Sequence, residues 1–119
     1  MTEMEKLVEY LDKSGANYER IKETNIMTFP DGNEIDFGRN QVVVYDNEGC
    51  FKWDAICHYC SYGYEQGLLE IMGDIVDEGK DGDSVAGWLT AENVIKRVKA
   101  QEATKNEGGG KAKIFNTYE

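Results

Sequence analysis

The chain has 119 residues, enough for one domain of ordinary size and short for two. Its 23 acids outnumber 13 bases, giving a formal net charge of −10. That balance excludes a general nucleic-acid binder, which needs a basic footprint, and electrostatic docking on an anionic membrane.

The first predicted element is a helix. Thr2 and Glu5 have the spacing of a capping box, in which each side chain satisfies a backbone N–H at the helix start. Met4, Leu7, Val8 and Leu11 then follow at the spacing of one helical face. Gly15, just after Ser14, is suited to the left-handed conformation that ends a helix. Met1 to Lys6 shows neither the basic nor the apolar region of a signal peptide, and no apolar run approaches the roughly 20 residues that span a bilayer. A cytoplasmic location is therefore expected.

The period then changes from 3.6 to 2. Ile26-Met27-Thr28-Phe29 and Asn33-Glu34-Ile35-Asp36-Phe37 flank Pro30-Asp31-Gly32, which reads as a hairpin. Gly38-Arg39-Asn40 reads as a second turn, leading to the β-branched Gln41-Val42-Val43-Val44-Tyr45. Asp46-Asn47-Glu48-Gly49 reads as a third turn, before a strand from Cys50 to Cys57. On that strand Phe51, Trp53, Ala55 and Cys57 share an apolar face, and Lys52, Asp54, Ile56 and His58 share the other. These four segments predict a four-stranded antiparallel meander.

Helical spacing returns from Tyr64, where Leu68, Leu69, Ile71, Met72, Ile75 and Val76 form a broad apolar face, weakened by Gly67 and Gly73. Asp77 to Ser84 reads as an acidic loop. Thr90 is a good N-cap for a last helix that buries Ala91, Val94, Ile95 and Val98, with Lys96, Arg97 and Lys99 toward its C-terminal half. The expected fold is one α+β domain over residues 1–104, ordered α-β-β-β-β-α-α, with the helices on one face of the meander. Residues 105–119, which include Gly108-Gly109-Gly110, are expected to form a flexible tail.

Few motifs carry chemistry. Cys57-His58-Tyr59-Cys60 has the form used by dithiol oxidoreductases, but those place the first cysteine at a helix N-terminus, whereas Cys57 falls on a strand face. Cys50, Cys57, His58 and Cys60 supply the ligand count zinc takes, although neighbours on a strand point to opposite faces. Free thiols are the simpler reading. Lys80-Asp81-Gly82-Asp83-Ser84 resembles part of a calcium loop, but it lacks the first acid, the glycine and the bidentate glutamate of an EF-hand. There is no phosphate-binding loop, nucleophile elbow or cofactor fingerprint, so no cofactor and no enzymatic activity are expected.

Charge placement is more informative. Residues 46–90 carry ten acids against two bases, −8 of the net −10, while six bases face four acids from Ala91 onward. Glu70, Asp74, Asp77, Glu78, Asp81 and Asp83 lie in this stretch with Tyr59, Tyr62, Tyr64 and Trp88. Carboxylates beside aromatic anchors form a candidate surface for a basic protein partner. A soluble acidic domain with core aromatics is the plainer reading, and a structural homo-oligomer is a further alternative.

Three segments carry a family likeness: Trp53-Asp54-Ala55-Ile56-Cys57-His58, then Ser61-Tyr62-Gly63-Tyr64-Glu65-Gln66-Gly67-Leu68-Leu69-Glu70-Ile71-Met72-Gly73, then Ser84-Val85-Ala86-Gly87-Trp88-Leu89-Thr90-Ala91-Glu92. Over residues 53–98 the chain resembles small uncharacterised proteins of phages and prophages in Firmicutes. The resemblance implies a bacterial cytoplasmic setting and transfers no site. The acidic charge and this setting together permit an accessory role in which an acidic protein binds host machinery. In its sharpest form this is inhibition of a nucleic-acid-binding host defence protein, as anti-CRISPR proteins and DNA mimics do.

Overall fold

A computed structural model describes residues 1–109. Helix α1 spans Glu3–Ser14 and is delimited by the side chains expected. Thr2 Oγ1 accepts from the Glu5 N–H at 3.0 Å and Glu5 Oε1 accepts from the Thr2 N–H at 2.8 Å. Gly15 closes the helix at φ 72°. Met4, Leu7 and Leu11 are buried, as their one-face spacing requires.

The strands are more numerous than expected. They are β1 (Asn17–Lys22), β2 (Ile26–Thr28), β3 (Glu34–Asp36), β4 (Asn40–Tyr45), β5 (Phe51–Ile56), β6 (Leu69–Gly73) and β7 (Val85–Leu89). Five form one sheet in the order β1-β4-β5-β6-β7, and every neighbouring pair is antiparallel. β2 and β3 pair only with each other. The fold is α+β, but the sheet is not the four-stranded meander of the expectation. Two of the four expected strands lie outside it, and three others (β1, β6, β7) complete it.

Pro30-Asp31-Gly32 does turn the β2–β3 hairpin, with Gly32 at φ 87° and the Phe29 N–H bonded to the Asn33 carbonyl at 2.8 Å. Gly38-Arg39-Asn40 does not turn. The Glu23 N–H donates to the Arg39 carbonyl at 2.8 Å and the Phe37 N–H to the Asn25 carbonyl at 2.8 Å. β1–β4 and β2–β3 are thus successive stretches of one long hairpin, whose outer part is an arm. At Gly38 a Cβ would fall 1.8 Å from the Glu23 carbonyl oxygen, so only glycine lets the two chains run this close.

The helix expected from Tyr64 is also corrected. Residues Tyr64–Gln66 form one 3-10 turn and Leu69–Gly73 are β6. Gly63 at φ 96° and Gly67 at φ 73° bracket the turn in left-handed backbone, which an α-helix cannot contain. Leu69 and Ile71 point into the core while Glu70 and Met72 alternate outward, a period of 2. The acidic loop contains a short helix, α2 (Glu78–Asp81), capped by Asp77.

Helix α3 spans Ala91–Gly109, past the boundary expected at residue 104. The tail expectation for residues 110–119 lies outside the described residues. Thr90 caps α3 by accepting from the Asn93 N–H at 3.1 Å, and Asn93 Oδ1 returns the bond to the Thr90 N–H at 3.0 Å. Glu3 Oε1 accepts from the Ala91 N–H at 2.7 Å, tying the start of α1 to the start of α3. These two helices cover one sheet face over Val42, Val44, Trp53, Ala55, Leu69 and Ile71, with Trp53 the largest fully buried side chain. No described helix is long and apolar enough to cross a membrane.

Candidate functional site

The connection from β5 to β6 builds the site. The Ser61 N–H donates to the His58 carbonyl at 2.9 Å, closing a tight turn over His58-Tyr59-Cys60-Ser61 with Cys60 at φ 75°. Ser61 Oγ accepts from the His58 N–H at 3.1 Å. His58 Nδ1 is already occupied, accepting from the Asn40 N–H at 3.2 Å. Past this turn the loop lies flush against β7. A Cβ at Gly87 would sit 2.3 Å from Tyr62 Cβ, and one at Gly63 would sit 3.0 Å from Trp88 Cα. Two glycines at these positions make the close approach possible.

Two bonds hold the loop in place. The Trp88 N–H donates to the Tyr62 carbonyl at 3.2 Å. Glu70 Oε1, projecting from β6, accepts from the Tyr62 N–H at 2.8 Å. The Tyr62 and Trp88 rings then stack nearly parallel, with centroids 5.1 Å apart and planes inclined by 7°. The pair stays in water, with Tyr62 47 % and Trp88 58 % exposed. Trp88 holds φ 55°, left-handed backbone that a bulky L-residue seldom adopts. Beside the pair, Tyr59 makes edge contacts with Phe37 of the arm at 4.9 Å and with Tyr64 at 6.1 Å. Phe37 was not among the candidate residues. Its signal was an apolar alternation on a hairpin with nothing to bury it.

The carboxylates divide into three roles. Asp77 caps α2, accepting from the Gly79 N–H at 3.0 Å. Asp81 is neutralised, since both its oxygens accept from Arg97 at 2.9 Å and one also accepts from the Asp77 N–H at 2.9 Å. The Arg97 guanidinium holds the Asp81 carboxyl down at about 2. Glu70 positions the aromatic loop. Exposed and outside any ion pair among the described residues are Asp74, Glu78 and Asp83. Asp83 lines one recess with Tyr62, Trp88, Val85 and Leu89. Asp74 and Asp77 line another, with Ile75 and Val76, between α2 and α3. Glu78 lines neither. Asp54, on the open sheet face, has its carboxyl pushed up by burial and by the Glu70 charge, against the Gln41 amide that donates to it at 2.8 Å.

The thiols are not gathered. Cys50 precedes β5 and Cys57 follows it, so a whole strand separates them. All three cysteines are free, and burial pushes the Cys57 thiol up, away from a reactive thiolate. Among the described residues no three His, Cys, Asp or Glu side chains group closely enough to hold a metal. Among the described residues Cys50, Cys57, His58 and Cys60, the alternative ligand set, are not brought together as one group.

Comparison with protein-family models, with curated proteins and with solved structures found no match to this chain.

Proposed function

We propose that the chain is a non-enzymatic, acidic accessory protein of the bacterial cytoplasm that binds a basic protein partner through the Tyr62–Trp88 stack and the neighbouring Asp83. The carrying observation is the exposed stack on strained backbone. Trp and Tyr are the side chains most often found at the energetic centres of interfaces. Backbone strain persists where the surroundings over-determine it, and such sites cluster at ligand clamps. Here a hydrogen bond to Tyr62 and the bare Gly87 supply that support. The uncompensated carboxylates of Asp74, Glu78 and Asp83 give the surface a sign, which steers a basic partner toward it.

The phage or prophage setting rests on the resemblance over residues 53–98, as does the sharper form in which the partner is a nucleic-acid-binding defence protein of the host. The test is retention from bacterial lysate on immobilised wild-type protein and on Trp88→Asn, followed by titration of the purified retained protein. The reading predicts a basic protein held by the wild type and lost from the variant. A partner held equally by both would overturn it.

A further inference from the structure

The β2–β3 arm presents a second apolar surface. By the registers Met27↔Ile35 and Ile26↔Asp36, and by the Phe29–Asn33 bond beyond them, Met27, Phe29, Ile35 and Phe37 alternate onto one face of the hairpin. Met27 is 52 % exposed, Phe29 37 % and Phe37 40 %. A two-stranded hairpin is marginal in water without an apolar face to pack on. This arm's strands pair only with each other, and its ring contact with the body is Phe37 on Tyr59. That contact joins the arm's apolar face to the aromatic loop of the proposed site.

We propose that this face of the arm is the second half of the partner surface, and that it inserts into an apolar groove rimmed by lysine or arginine on the same basic protein. The inference rests on the function proposed above. Charge selects the occupant. Residues 23–39 hold four acids (Glu23, Asp31, Glu34, Asp36) and one base (Arg39), so the arm is acidic, with Glu34 and Asp36 on the face opposite the apolar strip and Asp31 at its tip. A second copy brings the same sign to the same place and is repelled, whereas a basic rim is attracted. Aromatic and methionine side chains are enriched at the cores of interfaces.

The test uses the full chain with a photo-cross-linking amino acid at Phe29, at Trp88 or, as a control on the exposed side of α1, at Glu9. Each is irradiated in bacterial lysate and the product is identified by mass spectrometry. The captured protein is then purified and titrated against the wild type, Phe29→Asp, and the double variant Met27→Asp/Phe29→Asp. The proposal predicts one basic protein cross-linked from positions 29 and 88 and not from 9. It also predicts a loss of affinity of about tenfold or more in the double variant, the effect of removing interface anchors. Unchanged circular dichroism and melting show that these exposed substitutions leave the fold intact, and Phe29→Asp alone keeps the test open if the double variant unfolds. Cross-linking from 88 alone, with unchanged affinity of the arm variants, overturns the arm and leaves the parent reading. Cross-linking from 29 alone overturns the parent reading and, with it, the arm as the second half of that surface. Cross-linking from 29 to a second copy overturns the proposed occupant, and no product from either position overturns both.

Discussion

A tryptophan is an expensive occupant of left-handed backbone, and Trp88 holds that conformation while exposed to water. Its ring gains a stacking contact with Tyr62, of about 1 kcal/mol for such pairs, which is comparable to the strain and not clearly above it. Stability alone does not account for the residue. Asparagine tolerates φ near +55° and lacks the ring. Trp88→Asn is therefore expected to unfold within about 1 kcal/mol of the wild type in urea, while partner binding is lost. Asp81 is the opposite case, an acid with a structural task. Its carboxyl is held at about 2 by Arg97, below the ordinary 3.8. A depressed carboxylate pKa contributes stability that is present above the unfolded value and lost as pH falls through the folded one. Both side chains are partly buried, so the pair is only weakly screened. Asp81→Asn is expected to cost about 2 kcal/mol at neutral pH. The difference from the wild type should close between about pH 4 and pH 2, which urea melts across that range would show.

Elements with side-chain punctuation were legible in the sequence. Thr2, Glu5 and Gly15 delimit α1, Thr90 starts α3, and the turns at Asp31-Gly32 and Asp46–Gly49 form as expected. β6 was not legible as a strand, because Leu68, Leu69, Ile71, Met72, Ile75 and Val76 satisfy helical spacing as well as alternation over so short a run. What decides against the helix is left-handed backbone at Gly63, Gly67 and Gly73, visible only in the fold. β1 was hidden by its charges: Glu19, Arg20 and Lys22 suit an edge strand that must not pair with another chain. Gly38 reads as a turn residue but serves a close approach. The aromatics of the site were visible in the sequence. Their partner Phe37 was not, because the contact joins the arm to a loop far along the chain. The packing of that loop on β7 can be tested at Gly87, where an added Cβ would meet Tyr62 Cβ at 2.3 Å. Gly87→Ala is expected to destabilise by about 2 kcal/mol and to weaken the near-ultraviolet dichroism of the Tyr62–Trp88 stack. An unchanged spectrum would mean that the loop is not held by this contact.

Across the whole molecule, the fold distributes the net charge of −10 unevenly in its uses. Asp77 and Asp81 are used to build the α2 corner, and Glu70 is used beneath the aromatic loop. The acids left to steer a partner are fewer than the composition implies. Neutralising three of them together, Asp74→Asn, Glu78→Gln and Asp83→Asn, is expected to leave the melting temperature nearly unchanged, since the side chains are exposed. The same variant should slow partner association at low salt and flatten its salt dependence, measurable by stopped-flow. The most direct measurement of the central claim is a titration of the purified partner against wild type and Trp88→Asn at low and high salt. The account predicts affinity that falls as salt rises and a loss of about tenfold or more in the variant at both salts. Equal affinity of the two proteins, or binding indifferent to salt, would contradict it.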